Sequence, residues 1–250
     1  YGYDQLPDVP YERRKIQYED VFPVLYLKYR LLGKSSQKEI KHLVIDEMQD
    51  YSYMQYVILE NLFQCRMTIL GDYAQTLDTK QQDVLKFLPK IFGKDIRKVI
   101  LNKSYRNTYE IAQYAAQISG ITGLELLERH GRPVDVRRFA TEDEMLDAIA
   151  SNVNLGTDGY ETGAVITMTE EEAYDIYRLL IKRGVDAAYV DRDSSAFKRG
   201  LTVTTFYLAK GLEFDQVFTI RGTKENPLAE QAEYISATRA LQELYVCGAE

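Results

Sequence analysis

Three carboxylates and an amide fall within five positions in His42-Leu43-Val44-Ile45-Asp46-Glu47-Met48-Gln49-Asp50, directly after four residues fit to be buried in a strand. At the carboxyl end of a strand in a layered sheet, one acid can hold a phosphate-bound divalent cation, directly or through water. Its neighbour can accept a proton from attacking water. The local alternative is a solvated turn whose acids favour the positive end of a helix beginning near Ser52. Ile69-Leu70-Gly71-Asp72-Tyr73-Ala74-Gln75 repeats the pattern of apolar strand, glycine, acid and amide. Gln75 can donate to a phosphate oxygen and accept from a water, whereas a plain turn would use Gly71 for its backbone freedom. In Leu101-Asn102-Lys103-Ser104-Tyr105-Arg106 the arginine suits bidentate phosphate binding and the tyrosine offers a flat face for a base. An ion pair of Arg106 with Glu110, one helical turn on, explains the arginine equally well.

These positions require elements that carry them. Apolar spacing predicts a helix over 19–32 with Pro23 in its first turn and Gly33 as its stop. A strand at 42–45, a helix over 52–63 capped by Ser52 and a strand at 66–70 then form a β-α-β unit, followed by a helix over 79–91. Further strands are expected at 98–101, 134–139, 163–168, 186–190, 201–206, 216–220 and 243–247, and helices at 108–118, 142–151, 170–183 and 228–240. Strands interleaved with helices predict α/β layers with mainly parallel sheets. The expected division is residues 1–94 and 95–250.

A chain of 250 residues with 45% hydrophobic content can fill one large core or two ordinary ones. Its net charge of −7 provides no general attraction to nucleic acid or an anionic membrane, so any polyanion contact must be local. Cys65 and Cys247 lie far apart without a CxxC, which indicates neither a disulfide framework nor a zinc site and makes a reducing cytoplasm the default. No apolar run approaches the ~20 residues of a membrane span.

Read in order, DEMQD, GDYAQT, NKSYRN, TTFYLAKGLEF and YISATRA resemble motifs II to VI of superfamily one DNA helicases of the UvrD/Rep/PcrA type. The Leu- and Tyr-rich helix before motif II is most similar to the helicase IV/HelD branch, some of whose members act on RNA polymerase. The resemblance implies P-loop NTPase (RecA-like) folds, with part of one motor domain over 1–94 and a second over 95–250. It implies ATP and Mg²⁺ as cofactors, ATP sitting between the two domains in the intact protein. By position, Asp46 would serve Mg²⁺, Glu47 would activate water and Gln75 would sense the γ-phosphate. Arg106 and Arg239 would stabilise the transferring phosphoryl group. Tyr105 would stack on adenine and Glu213 would reach the ribose, with Lys210 and Gly211 shaping that loop. The hydroxyls of Thr204, Thr205 and Thr238 are candidate contacts to a nucleic-acid backbone, although strand propensity accounts for the first two as well. The implied partner is single-stranded or duplex DNA, with RNA polymerase as the alternative, for a monomeric motor of 3′ to 5′ polarity.

Departures from the pattern matter too. The family's phosphate cradle GxxxxGK[ST] does not occur in the sequence; Gly33-Lys34-Ser35 follows a helix rather than a strand and reads as a helix stop. The expectation is a C-terminal fragment, inert by itself, whose turnover returns when the upstream P-loop is joined to it. Thr76-Leu77-Asp78-Thr79-Lys80-Gln81 offers no ring where relatives stack on single-stranded bases, a contact worth ~1–3 kcal/mol per base. Tyr207 replaces the usual histidine of motif V. The interval from Arg106 to Thr202 leaves little room for a large inserted domain. The basic cluster of Arg129, His130, Arg132, Arg137 and Arg138 reads as a solvated edge rather than a polyanion site.

Overall fold

The computed structural model describes residues 9–10, 13–33, 37–75 (the backbone alone at 73), 84–93, 95–194, 199–222 and 225–249. Expectations for most of 1–12, for Lys34 and Ser35, for 76–83 and for the boundary at 94 lie outside them. The chain divides into two compact units, Tyr1–Lys98 and Val99–Glu250.

In the first unit, helix α1 (Tyr18–Leu32) starts one residue before the expected 19, and Pro23 lies beyond its first turn rather than in it. Pro23 therefore lies inside the helix and withholds the N–H that would bond one turn back. Strand β1 (His42–Ile45), helix α2 (Tyr53–Leu62) and strand β2 (Arg66–Ile69) follow, with β1 and β2 paired in parallel. Ser52 caps α2: its hydroxyl accepts from Gln55 N while the Gln55 side chain accepts from Ser52 N. Ser52 and Gln55, rather than the acids after β1, form this capping box. Helix α3 (Val84–Phe92) closes the core, in which Ile45, Tyr56, Val84 and Leu88 are buried. Only one side of β1 faces that core. Ile45 is buried, while Val44 is 60% exposed, so the expectation of a wholly buried strand is corrected.

The second unit is built on a six-stranded sheet, parallel throughout, with the order 135–139, 240–249, 214–220, 162–167, 200–205, 187–189. Its strands are β5 (Asp135–Phe139), β6 (Thr162–Thr167), β7 (Ala187–Tyr189), β8 (Gly200–Thr205), β9 (Phe214–Ile220) and β10 (Ala240–Ala249). Helices α5 (Glu142–Asn152) and α6 (Glu170–Lys182) bury Leu146, Ile149, Ile176 and Leu180 against Val165, Val203 and Phe218. The alternate residues Ala164, Ile166, Val217 and Val246 are buried as well, so the sheet is covered on both faces, as parallel sheets require. Helices α4 (Tyr109–Ser119) and α7 (Ala229–Ala237) pack on each other and on β9 and β10.

This confirms the α/β class with parallel strands and most of the expected elements. Two expectations fail. Residues 98–101 form no strand, with Leu101 84% exposed, and strand pairing starts only at β3 (Lys103–Ser104) against β4 (Glu125–Leu126). An apolar β-branched run is a strand only where a neighbour supplies hydrogen bonds. The last helix also stops at Ala237 rather than 240, because Thr238 and Arg239 turn directly into β10. No helix among the described residues is long and apolar enough to cross a membrane.

Candidate active site

The parallel pairing of β1 and β2 brings their carboxyl ends side by side. Leu70 N donates to Ile45 O at 2.8 Å and Met48 N to Leu70 O at 2.8 Å, so the two chains leave the sheet locked together. Asp46 is exposed, and one of its oxygens accepts from Glu47 N at 2.8 Å. Glu47 has φ 53° and ψ 48°, the sole positive φ among the described non-glycine residues. A left-handed glutamate costs ~1–3 kcal/mol, a strain typical of residues held for chemistry.

What holds it is visible. Gln49 Nε2 donates to Glu47 Oε2 at 2.6 Å, and Gln49 Oε1 accepts from Asp72 N at 3.1 Å. Asp72 accepts in turn from Gln75 Nε2 at 2.8 Å and from Ala74 N at 3.0 Å. Gln49 and Gln75 are both buried, at 7% and 8% exposure. The strands approach so closely that a Cβ at Gly71 would lie 2.5 Å from Gln49 Oε1. Glycine is needed here for space. Asp46, Glu47 and Gln75 thus share one corner, linked by Gln49 and Asp72, to which sequence reasoning gave no role. The amide in DEMQD was the signal for Gln49.

In the second unit Arg106 pairs with Glu213, Nε to Oε1 at 2.7 Å, rather than with Glu110. Glu110 instead receives Gly131 N at 2.9 Å and meets His130 Nδ1 at 2.8 Å, and these bonds, the backbone one first, hold its carboxyl below the usual range. Tyr105 is 64% exposed, with Lys103 Nζ 5.5 Å from its ring centre. Gly211 sits at φ 82° in the loop that carries Lys210 and leads to Glu213.

Arg239 behaves differently from an arginine presented to a ligand. It is 2% exposed, and its guanidinium donates to Ile235 O at 3.2 Å, Leu212 O at 3.3 Å and Thr238 Oγ1 at 3.0 Å. In this structure it ties the end of α7 to the loop before β9. Thr204 and Thr205 are fully buried, and Thr204 donates to Val190 O at 2.9 Å. Burial argues against a nucleic-acid contact from either. Thr238 Oγ1 donates to Ile235 O at 2.8 Å.

Two further residues fix the second set. Asn107 Nδ2 donates to Ala240 O at 2.6 Å and Thr238 O at 3.3 Å, and Arg129 Nη2 donates to Arg106 O and, at 3.0 Å, to Leu241 O. No local pattern in the sequence announces the bonds to Thr238, Ala240 and Leu241, since partners more than a hundred residues apart meet only in the fold. Arg132 pairs with Glu243 at 3.0 Å and Arg137 with Asp135, so these members of the basic cluster are committed within the unit. Tyr207 donates to Glu170 at 2.8 Å.

Carboxylate oxygens suit Mg²⁺, which commonly keeps several waters and takes one or two protein carboxylates together with substrate phosphates. No cluster of three or more His, Cys, Asp or Glu among the described residues could hold a metal alone. Asp46, an exposed carboxylate at the strand end, has oxygens of the kind such an ion takes.

Residues 15–77, which carry this corner, match the UvrD/REP helicase N-terminal domain family. No curated protein matches the chain. Among solved structures, the C-terminal domain of a possible DNA helicase from Lactobacillus plantarum WCFS1 is similar at 22% identity and a TM-score of 0.46, over 58% of this chain and 88% of that one. An arterivirus nonstructural protein 10 helicase (17% identity, TM-score 0.46) covers 81% of this chain and 38% of its own. The PRRSV helicase (17% identity, TM-score 0.46) covers 83% and 35%, so the chain spans little more than a third of the length of these two viral proteins.

Proposed function

We propose that the chain is part of an ATP-dependent, UvrD-type DNA helicase or translocase, in which RecA-like motor domains move on or remodel nucleic acid. The observation that carries the reading is the strand-end corner of Asp46, Glu47, Gln49, Asp72 and Gln75, inside the stretch similar to a helicase N-terminal domain. When bound there, Mg²⁺ would neutralise phosphate charge. Asp46 would hold that ion, and Glu47 would take a proton from a water turned toward the terminal phosphate. Gln75, rotated out of its bond to Asp72, would donate to the same phosphate. In the second unit Arg106 would leave Glu213 for phosphate oxygens and free the carboxylate for ribose hydroxyls, with Lys210 and Gly211 shaping the loop and Tyr105 against the base. Arg239 would join them only if its present bonds to carbonyls were exchanged.

The protein is proposed to be cytoplasmic and monomeric. The sequence contains no GxxxxGK[ST] cradle, so residues 1–250 by themselves should turn over negligible ATP. The test is ATP hydrolysis by the full-length gene product with and without single-stranded DNA, beside Glu47→Gln. DNA-stimulated turnover abolished by that change supports the reading, and turnover that survives it refutes the assignment of Glu47. The alternative, a HelD-like ATPase that releases RNA polymerase from nucleic acid, is favoured by the ring-free stretch 76–81. Stimulation by polymerase but not by DNA would select it.

A further inference from the structure

We infer that Gln49 is a positioning residue that couples the proton-accepting carboxylate of Glu47 to the phosphate-sensing amide of Gln75, an inference that rests on the hydrolytic reading above. The link is continuous: Glu47 Oε2 to Gln49 Nε2 at 2.6 Å, Gln49 Oε1 to Asp72 N at 3.1 Å, and Asp72 Oδ2 to Gln75 Nε2 at 2.8 Å. Each end of the Gln49 amide has a different duty. Its NH₂ fixes a carboxylate whose backbone is in the left-handed region, and its carbonyl reads the amide of the residue that holds Gln75.

The bonds are also enclosed. Gln49 is 7% exposed, and a side chain at Gly71 would strike its Oε1 at 2.5 Å, so the amide sits in a slot between two strand ends where rotation is hindered. A buried polar group in such a slot transmits displacement, because breaking either bond leaves an unsatisfied donor or acceptor. If Gln75 turns from Asp72 to a phosphate, Asp72 loses a partner, and its amide can shift against Gln49 and thereby against Glu47. The arrangement makes the orientation of the carboxylate depend on whether the sensor is engaged.

The side chain can be divided by substitution. Gln49→Leu removes both bonds at similar volume. Gln49→Glu keeps an oxygen for Asp72 N–H but replaces the donor to Glu47 with a second carboxylate. On the full-length gene product, both variants should lower kcat for ATP about tenfold or more while KM changes less than about twofold, the signature of an interaction that matters in the transition state rather than in binding. Hydrogen exchange distinguishes them. The Asp72 amide should exchange about tenfold faster in Gln49→Leu and remain protected in Gln49→Glu, with the Leu70 amide unchanged in both as the control for folding. A residue that served only stability would accelerate Asp72 and Leu70 together and would raise no such split between the variants. Turnover lost in Glu47→Gln but kept in Gln49→Leu overturns this inference alone. Turnover kept in Glu47→Gln overturns the assignment of Glu47 as the proton acceptor and this inference with it.

Discussion

Gly71→Ala tests whether the two strand ends are as tightly locked as their geometry indicates. The added methyl would lie 2.5 Å from Gln49 Oε1 and from Met48 Cγ, and 2.7 Å from the Met48 backbone nitrogen. The two side-chain atoms can retreat, but the nitrogen is held. Met48 N is bonded to Leu70 O at 2.8 Å, and Met48 O accepts from the hydroxyl of the wholly buried Tyr56 at 2.9 Å. Relief therefore requires the ends of β1 and β2 to part by about 0.7 Å to reach the 3.4 Å of ordinary contact, which stretches the Met48–Leu70 bond and the Gln49–Asp72 bond. Overpacking costs ~1–3 kcal/mol and a weakened hydrogen bond ~0.5–1.5 kcal/mol. Gly71 is not in the left-handed region, so alanine also restricts the unfolded chain and returns ~0.4–1 kcal/mol. The net expectation is a loss of about 1–3 kcal/mol, confined to the first unit. Exchange of the Leu70 amide, bonded to Ile45 O, should speed up about tenfold for each ~1.4 kcal/mol, and the first urea transition should move to lower concentration. Unchanged exchange and an unchanged midpoint would show that the glycine is not needed for space, and the close approach of the two strands would have to be abandoned.

Ser52→Ala removes the hydroxyl half of the capping box and should cost about 1 kcal/mol of first-unit stability, read by urea titration; a change below about 0.3 kcal/mol would mean that Gln55 alone caps α2. Glu213→Gln breaks the ion pair with Arg106, but the partners are 42% and 46% exposed, so stability should change by less than about 1 kcal/mol. If Glu213 also holds the ribose, the same variant raises the KM for ATP, and an unaltered KM refutes that role. Burial pushes the Cys247 thiol up from 9.0 to about 12. Because the folded value lies above the unfolded one, the stability from the neutral thiol is complete below about pH 9 and is lost as pH rises through about 12. At pH 8 iodoacetamide should label half-buried Cys65 and spare Cys247 until urea is added, and equal labelling rates in the folded protein would contradict this burial.

The sequence made the alternation legible because period and punctuation are local. Ser52, the apolar run before Asp46 and Gly33 each act within a turn or two of themselves, and β1, α2 and α1 lie where those signals put them. Where partners decide, local reading failed. The apolar stretch 98–101 has strand composition but no partner among the described residues, and Val44 is apolar yet exposed because only one side of β1 faces the core. The candidate site divides along the same line. Asp46, Glu47 and Gln75 follow from strand ends and converge, whereas the burial of Arg239 depends on the seating of α7 against the loop before β9, and the replacement of Glu110 by Glu213 as the partner of Arg106 joins positions more than a hundred residues apart.

The two units support their polar residues in physically different ways, and this bears on how each could respond to a ligand. In the first, the polar side chains are bonded through one another, so Glu47, Gln49, Asp72 and Gln75 are a single set in which moving one disturbs the next. In the second, the bonds run from supporting side chains to backbone. Asn107 grips the carbonyls of Thr238 and Ala240, and Arg129 grips those of Arg106 and Leu241. Phe214 N donates to Arg239 O at 2.9 Å, which seats Glu213 beside the same turn. Arg106 is thus anchored at its main chain while its guanidinium pairs with an exposed carboxylate, a bond that a phosphate can replace at little cost. Fixed backbone with a releasable tip suits a group that must reach for charge, while a cross-bonded set suits groups that must sense one another.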